Sequence, residues 1–114
     1  MPFTFVNNSA TISTTEYSLP SASTTRVAQT DKCVLQAFID FNAMAAGDEY
    51  QVRIYEKQAA AGTQRIVEQW SLVGVQSTPL WTSPSLIVGE GWDVTVQRIA
   101  GTDRSIAWSL RKVT

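Results

Sequence analysis

The chain has no histidine, one cysteine and few charges. Each shortage closes a route. Without histidine, the usual base for a serine or thiol nucleophile is missing, and no Gly-x-Ser-x-Gly turn occurs. A lone Cys33 cannot close an internal disulfide, so the fold does not depend on an oxidising compartment. Charged residues make up 17% of the 114 and the net charge is -1. Soluble domains usually carry about 25% charged residues, so part of this surface is expected to be covered by partners. No basic cluster marks a nucleic-acid partner. No apolar run reaches the roughly 20 residues that span a bilayer. The opening Met1-Pro2-Phe3-Thr4-Phe5 lacks the basic start and long apolar stretch of a signal peptide, so folding in the cytoplasm without export is expected. Sustained 3.6-residue periodicity is missing too. Single helical turns at residues 43–46 and 58–61 are the most helix the pattern allows.

What is present is period-two alternation. Cys33, Leu35, Ala37, Ile39 and Phe41 share one face of a strand, and Val34, Gln36, Phe38 and Asp40 share the other. Tyr50, Val52 and Ile54 alternate with polar residues in the clearest strand of the chain. Residues 65–73 are apolar in part on both faces. Residues 76–84 hold Pro79 and Pro84 around Leu80-Trp81 and read as a loop or a short edge strand. A short buried strand is expected at 85–88. Trp92, Val94 and Val96 then form one face, as do Ile106, Trp108 and Leu110. Two similar turns, Ala46-Gly47-Asp48 and Ala100-Gly101-Thr102-Asp103, read as hairpins that fix local antiparallel pairing. Another turn is expected at 59–63.

Residues 3–30 differ from the rest. They contain twelve Ser and Thr but only two charges, Glu16 and Arg26. This bias favours extended backbone. An arm of short strands is expected over 1–30, packed on its own domain or added to a neighbour's sheet edge, with disorder as the alternative given the polar bias. Residues 31–114 form the β domain. About eight strands near ten-residue spacing imply an all-β, two-sheet antiparallel sandwich of jelly-roll type, with an immunoglobulin-like sandwich as the alternative.

The candidate chemistry is thin. Cys33 lies inside an apolar run and reads as core. Lys32, Lys57 and Lys112 sit among polar neighbours at strand ends. The carboxylates Asp48-Glu49 and Glu90 with Asp93 have the residue types of a glycosidase pair, and Asp48, Glu49, Glu90 and Asp103 those of a calcium site. Turns collect aspartate for hydrogen bonding alone, and no calcium-loop spacing is present, so no catalytic, cofactor or metal residue is assigned. Trp70, Trp92 and Trp108 fall at core parity. Trp81, in its proline-flanked loop, suits a sandwich plug, a protein interface or a sugar platform. Val34, Phe38, Val67 and Trp81 are the candidate interface residues.

Three stretches carry a resemblance. They are Ile12-Ser13-Thr14-Thr15-Glu16-Tyr17-Ser18-Leu19-Pro20, Ala45-Ala46-Gly47-Asp48-Glu49-Tyr50 with Tyr55-Glu56-Lys57, and Gly91-Trp92-Asp93-Val94-Thr95 with Ala100-Gly101-Thr102-Asp103-Arg104-Ser105. The chain resembles small all-β virion accessory proteins of tailed bacteriophages, of the capsid decoration or cement type. The resemblance implies a non-enzymatic structural protein on the capsid surface, a homotrimer that bridges major capsid proteins. A carbohydrate-binding surface module and a tail adaptor or fibre component are the rival readings.

Overall fold

A computed structural model of the chain describes residues 3–114. Nine strands form: β1 (Phe3–Ile12), β2 (Tyr17–Ser18), β3 (Cys33–Asp40), β4 (Glu49–Glu56), β5 (Arg65–Val73), β6 (Leu80–Thr82), β7 (Leu86–Val88), β8 (Asp93–Ala100) and β9 (Arg104–Val113). Among the described residues there is no helix, and 43–46 and 58–61 form turns and bends only.

The strands make two antiparallel sheets. Sheet A runs β1-β9-β3, with both β6 and β7 on the far side of β3, and sheet B runs β2-β8-β4-β5. The pairing is nested. β1 pairs with β9, β2 with β8, β3 with β6 and β7, and β4 with β5. The chain is therefore one long ribbon doubled at the β4–β5 hairpin and rolled, so that strands along each arm alternate between sheets. That is the strand order of a jelly roll, as expected, and not the order of an immunoglobulin sandwich.

The alternation explains the core. Leu35, Ala37, Ile39 and Phe41 face Tyr50, Val52, Ile54, Val94 and Val96 across the sandwich, with Ile106 and Leu110 beside them, all buried. Each fully buried large side chain contributes about 1.5–3 kcal/mol. Trp92 is fully buried, and its indole N–H donates to the Asp31 carbonyl at 3.0 Å, so its one polar atom is satisfied.

The two Ala-Gly turns are not hairpins. Residues 41–48 carry the chain from β3 in sheet A to β4 in sheet B, and residues 101–103 carry it from β8 in sheet B to β9 in sheet A. Glycine and aspartate signal a change of direction, not which strand becomes the neighbour. The hairpin expectation is corrected accordingly.

Residues 3–30 supply β1, β2 and the following loop. β1 is ten residues long and pairs with β9 without interruption, and β2 pairs with β8, so the segment lies on its own domain. The strand opposite β3 is broken between β6 and β7. Two residues of β3 there face three of the other strand, a bulge. Ser83 fills the gap. Its hydroxyl accepts from the Ala37 N–H at 2.9 Å, and its N–H donates to the Ala37 carbonyl at 2.9 Å. Pro84, which has no N–H to offer, follows.

Candidate interaction face

Five strands of sheet A send side chains away from the core, and their apolar members cluster at one end of the face. β1 contributes Phe3 and Phe5, β3 Val34 and Phe38, β6 Leu80, and β7 Ile87. Phe3 is 69% exposed, Phe5 54% and Ile87 89%. The expected buried strand at 85–88 is therefore buried only at Val88, because it edges the sheet and Ile87 turns outward.

A cation sits in the middle of the apolar cluster, with Asp40 exposed at its rim. β9 places Arg111 between the rings of Phe38 and Phe5, with its guanidinium carbon 3.9 Å and 5.1 Å from the two ring centres. Such a contact is worth about 0.5–1 kcal/mol in water and about 2 kcal/mol or more once desolvated. Two shallow depressions flank the arginine. One, of about 380 Å³, is bordered by Phe5, Phe38, Asp40, Leu80 and Arg111, and the other, of about 350 Å³, by Phe3, Val34, Phe38 and Arg111.

The centre of the outer face of sheet B is different, because its polar groups close on one another, while its β5 edge leaves Ile66, Val67 and Val73 about half or more exposed. Arg53 donates to Gln69 at 2.9 Å, to Gln97 at 2.7 Å and to Glu16 at 3.3 Å. Glu16 also accepts from the Tyr55 hydroxyl at 2.6 Å and from Thr95. Burial raises the Glu16 carboxyl, but these hydrogen bonds and the Arg26 charge outweigh it and hold it below its usual range. Arg26 lies 3.9 Å over the Tyr55 ring and donates to Asp93 at 3.0 Å. Burial pushes Asp93 upward against that pairing. This face has spent its polar groups on one another, while the face of sheet A leaves its apolar groups open.

The other sequence candidates are scattered. Val34 and Phe38 fall together on the sheet A face. Val67 is the extra residue where the β4–β5 register shifts, half-exposed on the other sheet. Trp81 points inward and meets Trp70 edge-to-face at 4.9 Å, closing the gap between the sheets at the β5–β6 side. That is the plug geometry, with the indole partly buried against the core.

Of the candidate carboxylates, Glu49 is half-buried at the start of β4, Asp103 pairs with Arg98 at 2.6 Å, and the others are occupied. Asp48 accepts from the Ala45 N–H at 2.9 Å, the Thr102 N–H at 3.0 Å and Arg104 at 2.9 Å, which hold it down to about 2. Glu90 lies 3.7 Å from Lys32, and Asp93 is bound by Ser18 and Arg26. Among the described residues no group of three or more His, Cys, Asp or Glu side chains is placed to hold a metal. Cys33 is buried, and burial with the nearby Asp31 charge raises its thiol.

Phe3, Phe5, Leu80, Ile87 and Arg111 join the face without having been singled out from sequence. Phe3-x-Phe5 has the period of a strand face, which is the one signal that marks them. Leu80 and Ile87 come together with β1 only through the strand order. Comparison with family models, with curated proteins and with solved structures found no match to this chain.

Proposed function

We propose that the chain is a structural protein of a bacteriophage virion that decorates and cements the capsid by seating the outer face of sheet A on the major capsid protein. The open apolar face around Arg111 carries the reading. A contiguous apolar patch on a small, weakly charged protein is a contact surface, since a free domain gains nothing from exposing it. The polar network at the centre of sheet B's outer face supplies the contrast, because its groups are already paired.

The chemistry of the face describes its partner. Burying Arg111 and Asp40 without counter-charges is costly, so the partner surface is apolar with a carboxylate near the guanidinium and a polar donor toward Asp40. The jelly roll supplies a rigid platform. Each contact can be weak, because many copies on one lattice act together. Bridging of neighbouring capsid proteins belongs to the same proposal and rests on the sequence resemblance.

Cryo-electron microscopy of purified particles tests it. Hundreds of copies on the shell lattice, with Phe38 and Arg111 at the contact, are expected. A few copies at one vertex or on the tail would replace the proposal with an adaptor role, and absence from particles would overturn it.

A further inference from the structure

Among the described residues the two sheets have four edges, and three of them are defended. β2 is two residues long, and its outer side is capped by the chain itself, with the Ser18 N–H donating to Ser23 at 2.9 Å and the Ser23 N–H donating back at 3.3 Å. β5 carries Arg65 and Glu68 and is distorted by the bulge at Val67. The β6–β7 edge is broken by its own bulge and by Pro84. These are the devices by which sheet proteins keep their edges from pairing with other chains.

β1 has none of them. It runs ten residues with no charge, no proline and no break in its register with β9. An edge of that length and regularity is a template for another strand. Its backbone polarity is visible in one contact. The Ser9 N–H takes the side-chain oxygen of its neighbour Asn8 at 2.8 Å. An amide bonded to β9 has no need of that acceptor, so Ser9 faces outward. By alternation so do Phe3, Phe5, Asn7 and Thr11.

We propose that β1 pairs antiparallel with the β1 of a second copy of this chain, joining two A sheets edge to edge. A strand without charge meets its own copy with no like charges opposed, and it offers nothing by which a different charged strand would be selected. A two-fold axis at Asn7 sets every outward-facing residue opposite another: Asn7 faces Asn7, Phe5 faces Ser9, and Phe3 faces Thr11. About ten backbone hydrogen bonds then cross the seam, the Ser9 N–H exchanging its Asn8 acceptor for one of them. Residues of equal parity stay on one side, so the two Arg111-centred faces become one continuous surface. This pairing stands without the capsid assignment.

Sedimentation of the free protein tests it, together with amide hydrogen exchange. A dimer is expected whose Asn7 and Ser9 amides become protected as concentration rises. Asn7→Pro removes an outward donor and leaves the β9 ladder intact, and Ser9→Lys with Asn7→Lys sets like charges across the seam. Each is expected to weaken dimerisation at least tenfold, with circular dichroism unchanged, while Val73→Lys on β5 leaves the dimer as it is. If the Asn7 variants do not fold, exchange on the unaltered protein decides. A monomer at the highest soluble concentration overturns the proposal. So does a trimer, or β1 protection that arises only when another virion protein is added.

Discussion

Asp48 shows how much one side chain settles. The two crossings between sheets lie side by side, and this carboxylate ties them by accepting the Thr102 N–H and Arg104. Gly101 makes the approach possible. Its φ is +90°, and a Cβ there would meet Asp48 Oδ1 at 2.1 Å, Asp48 Cα at 2.6 Å and the Gly47 carbonyl at 2.9 Å. Two of those three atoms are backbone and cannot swing aside. Gly101→Ala is expected to cost more than about 2 kcal/mol, read as a fall in urea midpoint. Asp48 also sets an acid limit. Its folded value of about 2 lies below the ordinary aspartate value near 3.9. Its ionised form therefore favours the folded state fully above pH of about 4, and that contribution is lost as pH falls toward 2. Urea unfolding of the unaltered protein and of Asp48→Asn should differ most at neutral pH, and the gap should narrow between about pH 4 and 2. A gap that is constant with pH would remove the ionic role of Asp48.

Among the elements, the interrupted strand opposite β3 is the most informative. Ser83 stands in for a ladder position, and Ser83→Ala leaves the buried Ala37 N–H without its acceptor. The expected cost is about 1–3 kcal/mol, measured by thermal or urea unfolding, with Ser83→Thr retaining part of it. The same strand shows what alternation conceals. β3, β4, β8 and β9 are legible because each has one dry face, and a period of two is then forced. Residues 80–88 are not, because two prolines and a bulge break the period while the strand continues in space. β5 hides its type differently. It is an edge, so both faces are part-wet and its apolar residues follow no single face. The Ala-Gly turns were legible as turns, but which strands they join depends on long-range packing.

For the molecule as a whole, the contact face was half legible. Val34 and Phe38 share a parity within one strand and can be read from it, but Phe5, Leu80 and Arg111 reach them only once β1, β6 and β9 are set beside β3. Phe38→Lys is expected to abolish binding of the purified protein to shells that lack it, since it removes the ring under Arg111 and sets two cations together. Val67→Lys, on the other sheet, should leave that binding unchanged. Gradient co-sedimentation checks both, and equal loss in the two variants would dissolve the face as defined. The nested order also governs the timing of synthesis. β9 is made after the other described strands, yet it lies between β1 and β3 in sheet A. At roughly 5–20 residues per second, β1 emerges some seconds before its partner and waits with its apolar, uncharged length exposed. Sheet A cannot close until β9 has been made, and until then folding competes with pairing through the uncharged β1.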